Sequence, residues 1–174
     1  MNLILLPGNS KRNEEWISKI ENSLKDKFDS TFILKYSHWK FEEEKIIDLK
    51  SETKKLKIFK KNEDLIVFAK SAGVLLSLKA IKEKIISPKK CIFLGSPINW
   101  AIQNNLEIDK LFSKYSTLTL FIQKSKDPAY SFKELKKFLE EKEVKNYKLI
   151  EFPGDDHNYE DINKIKEKVQ DFLK

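Results

Sequence analysis

Three residues of this sequence have the types and spacing to do chemistry together: Ser71, Asp127 and His157, in that order, each shortly after a separate apolar run. A serine hydroxyl is a weak nucleophile until a base removes its proton during attack. His157 can be that base, and later the acid that protonates the leaving group. Asp127 can hold the imidazole in one tautomer and stabilise its positive form. Acyl transfer by such a set passes through an oxyanion that needs donors already in place. The backbone N–H groups of Ala72, next to the serine, and of Asn9, in the first loop, are the candidates.

The elements that must position these groups can be read along the chain. Asp64 to Gly73 reads DLIVFAKSAG, with an apolar run from Leu65 to Phe68, then Ala69-Lys70-Ser71-Ala72-Gly73, then a helical pattern. A short strand, small-x-Ser-x-Gly and a helix are the context of a nucleophile elbow, a turn so tight that Ala69 and Gly73 must be small. The competing reading is that Ser71 only caps the following helix, as serines often do. Leu3-Ile4-Leu5-Leu6 is a continuous apolar run ended by Pro7-Gly8, as in a strand covered on both faces. Trp16, Ile17, Ile20 and Leu24 follow at helical spacing. Thr31–Tyr36 reads as the second strand and 41–59 as mostly helical, with Ile46, Leu49, Thr53 and Leu56 on one face. After the elbow strand come a helix with Val74, Leu75, Leu78, Ile81 and Ile85, a fourth strand Cys91–Leu94, and an irregular stretch 98–116 with one short helix. Leu118–Ile122 is the fifth strand, and Ser131 with Glu134 has capping-box spacing for the next helix. Tyr147–Phe152 is the sixth strand, and Ile162, Ile165, Val169, Phe172 and Leu173 mark a terminal helix.

Strand and helix patterns alternate from end to end, which predicts a single domain over 1–174: an α/β/α three-layer sandwich around a mainly parallel six-stranded sheet. In such sheets ligands collect at the carboxyl ends of the strands. Pro7-Gly8-Asn9, Ser71, Gly95-Ser96-Pro97, Asp127 and His157 all follow strands.

With these residues in place the chain resembles the α/β-hydrolase family, over nearly its whole length. The order Ser, Asp, His is that family's triad order. The resemblance implies a minimal member that begins at the family's third strand, of the small, lidless acyl-hydrolase type. Gly154-Asp155-Asp156-His157-Asn158-Tyr159 resembles the family's histidine loop, and Pro7-Gly8-Asn9 stands where the family often has His-Gly-x. Ala69 departs from the first glycine of Gly-x-Ser-x-Gly, and Pro7 departs in the first loop. The activity implied is a serine hydrolase cleaving an ester or related acyl bond through an acyl-enzyme. Its substrate is then a small-molecule acyl ester. The alternative is a catalytically inactive binding or scaffold protein on the same fold.

Other function classes fit less well. The formal charge is +7, but Arg12 is the only arginine and the lysines are mixed with Glu and Asp, so a solvated surface is expected rather than a nucleic-acid partner. The sequence contains neither G-x-G-x-x-G nor G-x-x-x-x-G-K-[ST], so no nucleotide cofactor is expected. Asp155 and Asp156 with His157 are a poor metal set, since adjacent loop residues rarely present three ligands to one ion. No basic leader and no membrane-spanning run are visible, and the single Cys91 suits a reducing compartment, so a cytoplasmic protein is expected. Ser10, Pro97, Ile98 and Trp100 are the candidate substrate contacts, with Ile98, Trp100, Ile102 and Leu106 lining a shallow acyl pocket or else forming core. His38 is expected to be structural or on the surface. Which carboxylate orients His157, Asp127 or one of Asp155 and Asp156, is open from sequence.

Overall fold

The computed structural model describes residues 1–174 except Glu42, Glu44 and Lys61. Among the described residues, six strands form one sheet in the order β2-β1-β3-β4-β5-β6, with every neighbouring pair parallel. The strands are β1 (Asn2–Leu6), β2 (Ser30–Ile33), β3 (Leu65–Lys70), β4 (Lys90–Leu94), β5 (Leu118–Lys124) and β6 (Tyr147–Phe152). The helices are α1 (Asn13–Leu24), α2 (Leu49–Lys55), α3 (Ala72–Lys82), α4 (Ile98–Gln103), α5 (Ile108–Phe112), α6 (Phe132–Glu141) and α7 (Ile162–Leu173).

Successive side chains of a strand point to opposite faces, so a doubly covered strand must be apolar throughout. β3 shows the consequence. Leu65, Val67 and Ala69 join the core under α2, α3 and α6, while Ile66 and Phe68 join the core under α1 and α7. No helix of the described residues is long and apolar enough to cross a membrane. The chain order reverses at β1, which pairs with β2 on one side and β3 on the other, so a crevice opens past the carboxyl ends of β1 and β3. Gly73 closes one wall of it. A Cβ there would lie 2.1 Å from the Leu6 carbonyl oxygen and 2.8 Å from that of Pro7. Only a glycine lets the end of β1 rest against the start of α3.

Three expectations are corrected. Among the described residues, the stretch 41–59 is helical only over α2 and a 3-10 turn at Leu56–Phe59. Asp48 caps α2, accepting from the N–H groups of Lys50 and Ser51. Just before it, the Asn9 side-chain amide donates to the Lys45 carbonyl and accepts from the Ile47 N–H. Those backbone groups are thus committed to the first loop instead of to a helix. Ile46, expected on the buried face, is 59% exposed, and Glu42 and Glu44 of that stretch lie outside the described residues. Over 98–116 the chain forms two short helices, α4 and α5, where one was expected. The second strand, expected over Thr31–Tyr36, ends at Ile33, and the remaining elements match the reading closely, the Ser131–Glu134 capping box included.

Gly73→Ala is expected to lower stability by about 2–3 kcal/mol in chemical denaturation, the cost of overpacking a site that cannot give. Gly8→Ala should cost clearly less, because its Cβ would meet only the Asn13 side chain.

Candidate active site

Ser71 occupies the single-residue turn between β3 and α3. Its backbone stands at φ 52° and ψ −122°, a region that costs a non-glycine residue on the order of 1–3 kcal/mol. The turn is held by hydrogen bonds on both sides of the residue. The Ser71 N–H donates to the Leu94 carbonyl at 3.0 Å, and the Ser71 carbonyl accepts from the Val74 N–H at 2.8 Å. Its side chain makes no capping bond to α3. The helix-cap reading of this serine therefore fails, and its hydroxyl is left for other use.

His157 lies in the loop between β6 and α7. Its Nδ1 sits 2.8 Å and 2.9 Å from the two carboxylate oxygens of Asp127, which follows β5. Asp127 is 3% exposed. A buried carboxylate needs partners, and two more are supplied: the Ala129 N–H at 2.9 Å and the Tyr159 hydroxyl at 2.8 Å. With a carboxylate at Nδ1, the network assigns the ring proton to Nδ1 and leaves Nε2 as the acceptor. Nε2 is buried and has no hydrogen-bond partner among the described residues. The ring packs over Gly95 at the end of β4, where a Cβ would lie 2.8 Å from His157 Cε1 and 2.9 Å from the Tyr159 ring. Ser71 follows β3, the adjacent strand, yet no hydrogen bond joins it to His157. Of the two other candidate carboxylates, Asp156 pairs with Lys124 at 2.9 Å, and Asp155 is exposed.

The N–H groups of Asn9 and Ala72 make no hydrogen bond among the described residues. The loop carrying Asn9 is clamped from the β2 side. The Tyr36 hydroxyl donates to the Pro7 carbonyl at 2.6 Å. The Asn9 carbonyl accepts from Trp39 Nε1 at 2.7 Å and is met by His38 Nε2 at 2.8 Å. His38 is therefore structural, fixing the loop beside Ser71.

The acyl-pocket reading needs correction. Ile98 is fully buried in the core with Ala101, and Pro97 is buried as well, so neither is placed to touch a substrate. Trp100 packs partly buried against that core, and Ile102 is exposed. A cavity of about 380 Å³ lies instead on the α1 side of His157, and Ser10 lines it together with Lys70. The sequence reading passed over Lys70 because it fills the variable position of the serine motif.

Neither a family model nor the sequence of a curated protein matches this chain. Solved structures do. A protein of Bacillus cereus ATCC 10987 described as uncharacterized superposes with a TM-score of 0.73 at 19% identity, over 99% of this chain and 60% of that one. Est1E from Butyrivibrio proteoclasticus, with ferulic acid bound, gives 0.75 at 17% identity over 99% and 87%. The esterase Pf2001 from Pyrococcus furiosus gives 0.73 at 16% identity over 99% and 79%. The chain has the α/β-hydrolase fold. It spans about three-fifths of the Bacillus cereus chain and most of the other two.

On this α/β-hydrolase fold, Lys70 has an energetic consequence. It is 7% exposed, and its ammonium donates to Asn13 Oδ1 at 2.9 Å and lies 5.0 Å from the centre of the Trp16 ring. Burial pulls its pKa from 10.5 down to about 8, against the charges of Asp127 and Asp156, which raise it. That difference corresponds to about 3 kcal/mol disfavouring the charged form in the folded chain. The unfolded chain binds the extra proton between pH 8 and 10.5, so stability rises with pH across that window and is lowest below it. Lys70→Met is expected to stabilise the fold by about 2–3 kcal/mol at pH 7. In denaturant titrations the gain should shrink as pH is raised through 8 towards 10.

Proposed function

We propose that this chain is a serine hydrolase that cleaves an ester or related acyl bond of a small molecule through an acyl-enzyme intermediate. The observation that carries the reading is the His157 imidazole, held at Nδ1 by the buried Asp127 carboxylate, with a buried, unbonded Nε2 at the strand end next to Ser71. The neighbours in fold that are named esterases support the same class.

In this mechanism Ser71 Oγ attacks the substrate carbonyl carbon while its proton passes to His157 Nε2. Asp127 keeps the ring oriented and stabilises the imidazolium. The carbonyl oxygen, now negative, is met by the N–H groups of Asn9 and Ala72. Such donors are worth about 3–4 kcal/mol each to the transition state. Collapse of the intermediate breaks the acyl–oxygen bond, and the leaving alcohol takes the proton from Nε2. Water then attacks the acyl-serine with His157 again as base, releasing the acid and restoring Ser71. A serine–histidine hydrogen bond missing from the free protein is compatible with this, because such contacts often tighten only with substrate bound. Tyr159 acts as a positioning residue. Burial and the Asp127 charge raise its pKa, so it remains a donor to that carboxylate.

A fluorophosphonate is expected to add once to the wild-type chain by intact mass, and not at all to Ser71→Ala or His157→Ala. Absence of an adduct on folded wild type would overturn the reading in favour of a binding or scaffold protein. With an ester substrate in hand, Asp127→Asn should lower kcat by about 10³–10⁴. Tyr159→Phe should lower kcat about tenfold with KM unchanged, the loss of one hydrogen bond to a charged group. A change confined to KM would remove Tyr159 from the positioning role.

A further inference from the structure

We infer that the cavity beside His157 receives a carboxylate carried by the substrate, held by Lys70 and Arg12, so that the substrate class is an anionic ester. This rests on the hydrolase reading and specifies the substrate of the same site. The cavity, about 380 Å³, is walled by Arg12, Asn13, Trp16, Lys70 and His157, with Glu160 also on its lining. Lys70 is the last residue of β3 and shares the α1-facing side of that strand with Ile66 and Phe68. Its neighbours on α1 are set in place by their own bonds. Asn13 Nδ2 donates to the Ser10 carbonyl at 2.9 Å, which turns Asn13 Oδ1 towards Lys70. Trp16 Nε1 donates to the Tyr159 carbonyl at 2.6 Å, which fixes the ring under the ammonium.

An ammonium has three donors, and the structure gives Lys70 a single hydrogen-bond acceptor among the described residues. No carboxylate lies within ion-pair distance of Lys70 or Arg12 among the described residues. A buried cation with no carboxylate in contact, only the charges of Asp127 and Asp156 at longer range, is costly to keep. This one is kept on the lining of a cavity that His157 also lines. The two open donors of Lys70 match the two oxygens of a carboxylate, and the exposed guanidinium of Arg12 adds a second positive group on the same wall. Because His157, the base of the proposed reaction, lines the same cavity, a carboxylate bound here belongs to a substrate seated for reaction, on either its acyl or its alcohol half.

Two matched pairs of esters test this on the full chain. 4-Nitrophenyl butyrate against 4-nitrophenyl hemiglutarate places the charge on the acyl half, and phenyl butyrate against 3-carboxyphenyl butyrate places it on the alcohol half. We expect at least a tenfold preference in kcat/KM for the charged member of one pair at low salt. The preference should fall to about one in Lys70→Met and several-fold in Arg12→Ala, whose exposed side chain keeps the fold out of question. A ratio near or below one in both pairs, with the neutral esters turned over, would overturn the carboxylate site and leave the hydrolase reading standing. If no ester is turned over and Ser71 takes no fluorophosphonate, the hydrolase reading fails, and calorimetric titration with glutarate decides the site separately. Binding to wild type that is lost in Lys70→Met would uphold it as an anion site, and no binding to wild type would overturn it.

Discussion

The Asp127 carboxylate is the group on which the far end of this molecule depends. It is a buried charge reached by three segments: its own turn through the Ala129 N–H, the loop after β6 through His157, and the approach to α7 through Tyr159. A charge in that position is tolerable only while its lone pairs are filled. The loop from Pro153 to Asp161 is thus folded around an electrostatic requirement as much as around a core. Tyr159 shows how closely the two are joined. Its hydroxyl donates to Asp127 and accepts from the Lys124 N–H, its carbonyl takes the Trp16 indole proton from α1, and its ring lies against Gly95.

Around that centre the chain concentrates features that reduce stability. Ser71 sits in a strained backbone region, Gly73 allows a backbone approach that no other residue permits, and Lys70 is an ammonium with one acceptor. All three fall within four consecutive residues at the end of β3. Locally unfavourable choices are expected where function rather than folding selects the residue. The ends of β4 and β5 also carry buried polar groups, Ser96, Gln123 and Asp127, but the strained serine, the obligatory glycine and the buried ammonium fall together only at the end of β3.

Much of this was legible in the sequence, for a physical reason. A parallel sheet demands continuous apolar runs, and such runs announce where each strand stops, so Ser71, Asp127 and His157 could be picked as residues just past strand ends. The pairing of Asp127 rather than Asp155 or Asp156 with His157 was not legible, because it depends on how far β5 and β6 extend before their loops turn. Trp16 and Tyr159 are 143 residues apart and meet only in the fold. Lys70 was hidden by the serine motif itself, which constrains the size of its neighbours and says nothing of its own side chain. The 41–59 stretch misled because its apolar spacing suits a helix, while the side chain of Asn9, remote in sequence, claims its backbone groups.

The clamp on the first loop ties the site to the outer margin of the sheet. Tyr36, His38 and Trp39 reach the Pro7 and Asn9 carbonyls from the segment that follows β2, and β2 is a four-residue strand with a single neighbour. Short edge elements open locally at free energies well below that of global unfolding. Each such opening would release the Asn9 loop while the central strands β1, β3, β4 and β5 stay paired. For the hydrolase proposed above, loss of competence on warming would then be governed by fraying at one edge, and heat inactivation would precede melting of the core.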